Sequence, residues 1–264
     1  MILASVTWNP DPEIFRIGNF AVRWYGLLFA SAFFFGYLVF LKIYKKEGIS
    51  VQLLDKLTVY MAVGTIIGAR LGHCLFYEPG YYLSNPIEIL KIWRGGLASH
   101  GAAIGILVAL YYYSRNIRRP YFWILDRIVI VVALGGFFIR MGNLMNSEIY
   151  GVGTSLPWGF IFVAAGETMP KHPTQIYEGL SYLAIFVLLY VLYRKQEGKL
   201  RPGVFFSIFL ILLFAVRFLI EFIKEVQVDF ETGMTLNMGQ WLSIPFVLTG
   251  IVLFILSFRK KPVS

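Results

Sequence analysis

Seven long apolar stretches separated by short polar breaks constrain this chain more than any other feature. They run approximately over 19–43, 53–76, 97–114, 121–141, 175–193, 203–222 and 239–258. A helix needs about 20 residues to cross roughly 30 Å of hydrocarbon. Within lipid every backbone N–H and C=O must be satisfied internally, so stretches of this length fold as helices. Composition agrees, because 58% of the residues are hydrophobic and 15% charged, against about 25% charged in soluble domains. The expected fold is all-α: a polytopic membrane protein with seven transmembrane helices. No repeat or low-complexity linker divides it, so residues 1–264 are read as a single transmembrane domain. The longest break, 142–174, is rich in Gly and Pro and is expected to form a small external head.

Lys and Arg fix the orientation. Lys42, Lys45, Lys46 and Lys56 follow the first window, Arg115, Arg118, Arg119 and Arg127 the third, and Arg194, Lys195, Lys199 and Arg201 the fifth; Arg259, Lys260 and Lys261 close the chain. By the positive-inside rule the N-terminus lies outside and the C-terminus in the cytoplasm, as an odd number of spans requires. A polybasic inner face against anionic lipid accounts for the net charge of +9, so no nucleic acid is expected as a partner. Residues 1–18 contain Pro10, Asp11, Pro12 and Glu13 and no apolar core of a cleavable signal, so the first span is expected to act as an uncleaved insertion signal. Cys74 is the single cysteine and reads as core filler. The three histidines lack metal-ligand spacing, and neither a metal nor a cofactor is expected.

Charged and amide side chains inside membrane segments mark sites, because leaving them at hydrocarbon depth costs several kcal/mol. Threaded through the expected topology, Tyr25, Arg70, His73, His100, Arg140, Gln175, Glu178, Arg217, Glu221 and Gln240 all fall toward the outer leaflet. Arg217, Glu221 and Lys224, at i, i+4 and i+7, are expected on one helical face; the same spacing suits a self-neutralising ion pair. Arg140 followed by Asn143, Asn146 and Glu148, between Gly142 and Gly151, suggests a turn folding back to offer donors to an anion. Its alternative is an ordinary polar loop. His100 stands among small residues in Gly95-Gly96-Leu97-Ala98-Ser99-His100-Gly101, where close backbone approach is possible. Trp24, Tyr25, Tyr81, Tyr82, Trp93 and Trp158 read as an interfacial aromatic belt.

Four segments carry a resemblance: Val22-Arg23-Trp24-Tyr25-Gly26, the Gly95–Gly101 segment, Arg140-Met141-Gly142-Asn143-Leu144-Met145-Asn146-Ser147-Glu148-Ile149-Tyr150-Gly151, and His172-Pro173-Thr174-Gln175-Ile176-Tyr177-Glu178. With Arg217, Glu221 and Met238-Gly239-Gln240-Trp241-Leu242-Ser243 they extend over nearly the whole chain. This set resembles the phosphatidylglycerol:prolipoprotein diacylglyceryl transferase family. The resemblance implies a reaction in which the diacylglyceryl group of phosphatidylglycerol passes to the thiol of a lipobox cysteine in a prolipoprotein signal peptide. A thioether forms and glycerol-1-phosphate leaves. It further implies a multi-pass enzyme of the bacterial cytoplasmic (inner) membrane, with its active site toward the outer leaflet, a periplasmic head, and membrane lipids as surroundings. His100, Arg140, Arg217, Glu148, Glu221 and Tyr25 are then the expected catalytic residues. Arg140, Asn143, Asn146, Gly151, Arg217 and Gln175 are the expected substrate-binding ones. The chain departs from the family at Leu213 and Lys224, where members often have Tyr and Arg.

The chemistry fits these residue types. Phosphate leaving a carbon centre develops charge that two guanidiniums in a low-dielectric chamber would stabilise. Moving a proton from a thiol of pKa about 8.5 to an imidazole of about 6.5 costs roughly 2.7 kcal/mol before neighbours act. The base is His100, Glu148 or Glu221. A cationic chamber would also suit a transporter of anionic lipid, and a non-enzymatic assembly factor is a third class; polar groups on one side only and no internal symmetry weigh against transport.

Overall fold

A computed structural model of the chain describes residues 5–18, 20–92, 95–196, 201–226, 231 and 233–259; Trp93, Lys199, Lys260 and Lys261 lie outside the described residues. The helices are α1 (Trp24–Lys46), α2 (Val51–Phe76), a short α3 (Pro79–Ser84), α4 (Ser99–Asn116), α5 (Tyr121–Met145), α6 (Thr174–Lys195), α7 (Val204–Ile220) and α8 (Met238–Ser257). Four short strands, β1 (Val6–Trp8), β2 (Glu13–Ile17), β3 (Phe20–Arg23) and β4 (Phe160–Phe162), make the chain mostly, not wholly, helical. Six helices, α1, α2, α5, α6, α7 and α8, are long and apolar enough to cross a bilayer, and the chain is a multi-pass membrane protein. α4 occupies the third expected window with 18 residues. Its polar ends, Ser99-His100 and Ser114-Arg115-Asn116, keep its hydropathy below that of the six.

The chain divides into two compact units, one of Met1–Val39 with Asp126–Ser264 and the other of Phe40–Leu125. In the second unit α2 and α4 meet through Gly64, Gly68 and Gly72 against Gly101, Gly105 and Ala109. A methyl group on Gly72 would stand 2.6 Å from the Gly101 Cα. In lipid, where apolar side chains gain little by leaving the solvent, such close backbone approach supplies the packing energy. At the end of α2, Arg70 is 3% exposed. Its guanidinium donates to the carbonyls of Glu88 (2.5 Å), Ile89 (2.8 Å), Gly95 (2.6 Å) and Gly96 (3.2 Å), and it lies 4.9 Å from the centre of the Tyr82 ring. Arg70, expected among the polar groups that mark a site, is instead a structural residue of the α2–α4 connection. Carbonyl oxygens of the α2–α4 connection, rather than a carboxylate, offset the cost of burying it. Tyr82 is likewise buried beneath that cation, not a member of an exposed belt.

In the first unit Asp126 explains why α5 tolerates a carboxylate among apolar residues. It accepts from the backbone N–H groups of Gly203 (2.7 Å) and Phe206 (2.9 Å), and so caps the start of α7. α8 begins with a reciprocal cap in which the side chains of Asn237 and Gln240 each bond the other's backbone N–H. Outside the long helices runs a backbone ladder. β1 lies parallel to β4, Phe160 of β4 pairs with Lys171, Lys171 with Gly153, and Gly151 with Lys224. This ladder runs through residues 151–171, and it joins the N-terminal strand to the end of α7.

Two element ends differ from expectation. α5 continues through Gly142 and Asn143 to Met145, because the Tyr25 ring fills the space beside Gly142; a Cβ there would lie 2.8 Å from it. Packing has overridden the low helix propensity of that turn. α7 ends at Ile220, and Glu221–Ile223 form a single 3-10 turn with Lys224 extended. Arg217, Glu221 and Lys224 therefore do not share one α-helical face. The Lys224 backbone instead pairs with Gly151, a non-local contact that spacing cannot reveal.

Candidate active site

Arg140 leaves the last third of α5 with its side chain 15% exposed. Its Nε stands 2.7 Å from Oε2 of Glu178, whose side chain is fully buried in the first turns of α6. The oxygen lies off the N–H direction, so this contact is an ion pair without an aligned hydrogen bond. A second guanidinium nitrogen donates to Asn143 Oδ1 at 3.2 Å. Asn143 and Asn146 then both donate to Glu148 Oε1, at 2.8 and 3.3 Å. The cation, two amides and carboxylate of the signature block thus form one connected chain.

Glu148 sits in a sharp turn. Ser147 and Ile149 adopt φ of 54° and 62°, left-handed values that a β-branched Ile rarely takes. The first turn of α6 holds this turn in place: Gln175 Nε2 donates to the Glu148 carbonyl at 2.7 Å, and Thr174 Oγ1 to that of Ile149 at 2.9 Å. Gly151 follows. A side chain there would run into the Ile223 carbonyl and stand 2.8 Å from both His172 Cβ and Thr174 Cγ2. No residue but glycine fits.

On the other side of Glu178, Lys224 Nζ donates to Glu178 Oε1 (3.2 Å) and to Glu221 Oε2 (3.4 Å). Glu178 is therefore shared by Arg140 and Lys224, and Glu221 packs against Gly239, where a Cβ would lie 2.5 Å from its carboxyl carbon. Tyr182, one turn further along α6, is buried and hydrogen-bonded with Arg140, and Arg217 acts on it electrostatically. Arg217 Nε is buried with no hydrogen-bond partner among the described residues. Tyr25, in the first turn of α1, lies within electrostatic reach of both Arg140 and Glu148. Cations and carboxylates thus alternate through the core of the first unit, an arrangement that can hold an anion while keeping its own charges compensated.

The first unit accordingly gathers Tyr25, Arg140, Asn143, Asn146, Glu148, Gly151, Gln175, Arg217 and Glu221. His100 belongs to the second unit, in the first turn of α4. Its exposed ring stands edge-on to Phe76 (5.2 Å between centres) and 5.8 Å from Tyr77. Glu178 stands among the outer-leaflet polar groups of the sequence reading but is given no role there, and Tyr182 is not singled out. Their signal is the spacing Gln175, Glu178, Tyr182, which repeats along one face of a helix.

The fold and this charged core define a multi-pass membrane protein with a buried network of cations and carboxylates at its helix ends. The chain belongs to the prolipoprotein diacylglyceryl transferase family, whose pattern matches residues 12–256. It is similar to the phosphatidylglycerol–prolipoprotein diacylglyceryl transferase of Tolumonas auensis, at 51% identity over 96% of this chain and 98% of that one. The proteins of the same name from Chloroherpeton thalassium and Bacteroides fragilis are 44% and 42% identical, over 97% and 100% of this chain and 95% and 99% of theirs.

Proposed function

We infer that this protein transfers the diacylglyceryl group of phosphatidylglycerol to the thiol of the lipobox cysteine of a prolipoprotein, the first step of lipoprotein maturation. The observation that carries this reading is the match to the family over nearly the full chain, at up to 51% identity. In the reaction the cysteine sulfur bonds to the terminal glyceryl carbon of the diacylglyceryl group. The bond from that carbon to the phosphate oxygen breaks, and the thiol proton passes to a base. Glycerol-1-phosphate leaves with the electron pair.

Arg140 and Arg217 bind the phosphate and stabilise the charge that develops on it. The buried Nε of Arg217, without a hydrogen-bond partner among the described residues, supports this role, as does the fixing of Arg140 by Glu178 and Asn143. Asn143, Asn146, Gly151 and Gln175 shape the substrate-binding turn around Glu148, and Tyr25 closes it. Glu221 holds Lys224, which stands where relatives often carry Arg. The proton acceptor is His100, Glu148 or Glu221; His100→Gln tests the first, because an obligatory imidazole cannot be replaced by an amide.

The finer topology belongs to the same reading. Seven spans including α4, the N-terminus outside and the C-terminus in the cytoplasm, and one transmembrane domain with a periplasmic head over 142–174 place the chamber in the outer half of the bacterial inner membrane. Its partners are phosphatidylglycerol, the lipobox-bearing signal peptide and bulk lipid. The test is release of glycerol-1-phosphate by the purified protein from phosphatidylglycerol vesicles in the presence of a lipobox peptide. Arg140→Ala and Arg217→Ala are each expected to lower kcat by about 100-fold or more, the usual effect of losing a group that stabilises transition-state charge. Wild-type rates in both variants would remove the phosphate clamp.

A further inference from the structure

The segment Glu221–Val226 reaches the site from outside the helices. It carries Glu221 and Lys224 inward and Glu225 outward, and backbone contacts with the head hold it. The Val152 N–H donates to the Ile223 carbonyl at 2.9 Å, the Glu225 N–H donates to the Tyr150 carbonyl at 3.3 Å, and Lys224 pairs with Gly151. One side chain of the head grips it as well. Lys171 makes an ion pair with Glu225, and on its other side lies 3.3 Å from Glu167, which accepts from the Tyr150 hydroxyl at 2.9 Å. Lys171 is itself fixed between two backbone neighbours: it exchanges hydrogen bonds with Phe160 (2.8 and 2.9 Å) and pairs with Gly153. Its side chain is 15% exposed and Glu225 35%, and the two carboxylates, Glu225 foremost, raise its affinity for its proton.

We propose that Lys171 is a positioning residue for the transfer reaction: by holding Glu225 it fixes the Glu221–Val226 strap, and so sets Lys224 and Glu221 against the Glu178–Arg140 pair. This rests on the reading given under Proposed function. The physical reason is short reach. Lys224 is the next residue to Glu225, so a shift of the strap at Glu225 is transmitted to Lys224 Nζ, whose contacts to Glu178 and Glu221 at 3.2 and 3.4 Å have little slack. Releasing Lys224 would leave Glu178 to Arg140 alone and change how strongly that guanidinium is held.

The test uses the full-length protein in phosphatidylglycerol nanodiscs, with kcat and KM for a lipobox peptide measured beside amide hydrogen exchange at Val152 and Glu225. Lys171→Met and Glu225→Gln are expected to lower kcat about tenfold, the order of a sub-ångström misplacement, while KM stays within about twofold and exchange at the two amides accelerates. Lys171→Arg should restore both readouts. Glu167→Gln touches Lys171 on the side away from the strap and should remain within about twofold of wild type. If Lys171→Met fails to fold, Glu225→Gln carries the comparison alone. Unchanged kcat, unchanged amide exchange, or a Glu167→Gln loss equal to that of Glu225→Gln would each overturn the proposal. A wild-type protein that forms no lipopeptide would instead remove the reading on which it rests.

Discussion

Arg70 and Arg140 show how differently one residue type can be used within a single membrane chain. Both are charges within apolar segments, and sequence alone places both among the polar groups that mark a site. Arg70 gives its donors to backbone carbonyls of the connection that leads to Gly95-Gly96 and His100, whereas Arg140 is held by a carboxylate and an amide. The distinction is invisible in the sequence because carbonyl acceptors belong to every residue. Arg70→Lys should therefore act as a structural change, since an ammonium cannot reproduce the planar fork. A loss of about 2–3 kcal/mol in unfolding free energy is expected from buried carbonyls left without donors, with faster hydrogen exchange confined to residues 88–98. Wild-type stability would show that the fork is dispensable. Arg140, Asn143, Glu148 and Arg217 were visible as site candidates because amides and charges at membrane depth are rare. The pairing of Arg140 with Glu178 was not, since any of several carboxylates could have served.

Among the elements, apolar length was the reliable signal. Every window coincides with a helix to within about five residues, and six of the seven helices are long and apolar enough to cross a bilayer, α4 being the exception. The ends were less legible. Tyr25 covers Gly142 and prolongs α5, and the strap beyond Ile220 exists because Gly151 leaves room for the Ile223 carbonyl. Both depend on partners more than a hundred or some seventy residues distant, which no local pattern carries. Residues 142–174, as a Gly- and Pro-rich break, are expected to form a small head; the backbone ladder within them arises from pairings of one to three residues, too short to leave an alternating pattern. His172, beside that ladder, gives this segment a pH response. Burial holds the His172 imidazole below its ordinary affinity for protons, so the unfolded chain binds a proton more readily than the folded one. Stability contributed here is present above about pH 6.5 and is lost as pH falls toward the lower folded-state value. Thermal unfolding followed from pH 7.5 to 5 should show a decline that His172→Asn flattens. An identical slope in the variant would assign the effect elsewhere.

For the whole molecule, six long apolar helices establish a multi-pass protein, and charge asymmetry argues for the direction in which they run. That direction can be read with single cysteines on a Cys74→Ser background. Cys74 is buried and is the one native thiol. Met169→Cys in the head should react with a membrane-impermeant maleimide in intact cells, whereas Gln196→Cys and Arg259→Cys should react only after permeabilisation. The reverse pattern would invert the topology and place the Arg140–Glu178–Lys224 core on the wrong leaflet for a secreted precursor. One run of backbone pairs links the N-terminal strand, residues 151–171 and Lys224 beyond the end of α7, so distant parts of the chain converge on the Arg140–Glu178–Lys224 core. The most direct measurement is the mass of a lipobox peptide incubated with the purified protein and phosphatidylglycerol of defined acyl chains. The account predicts a gain equal to one diacylglyceryl group on the cysteine, absent when that cysteine is replaced by serine; an unmodified peptide from a folded, lipid-supplied protein would contradict it.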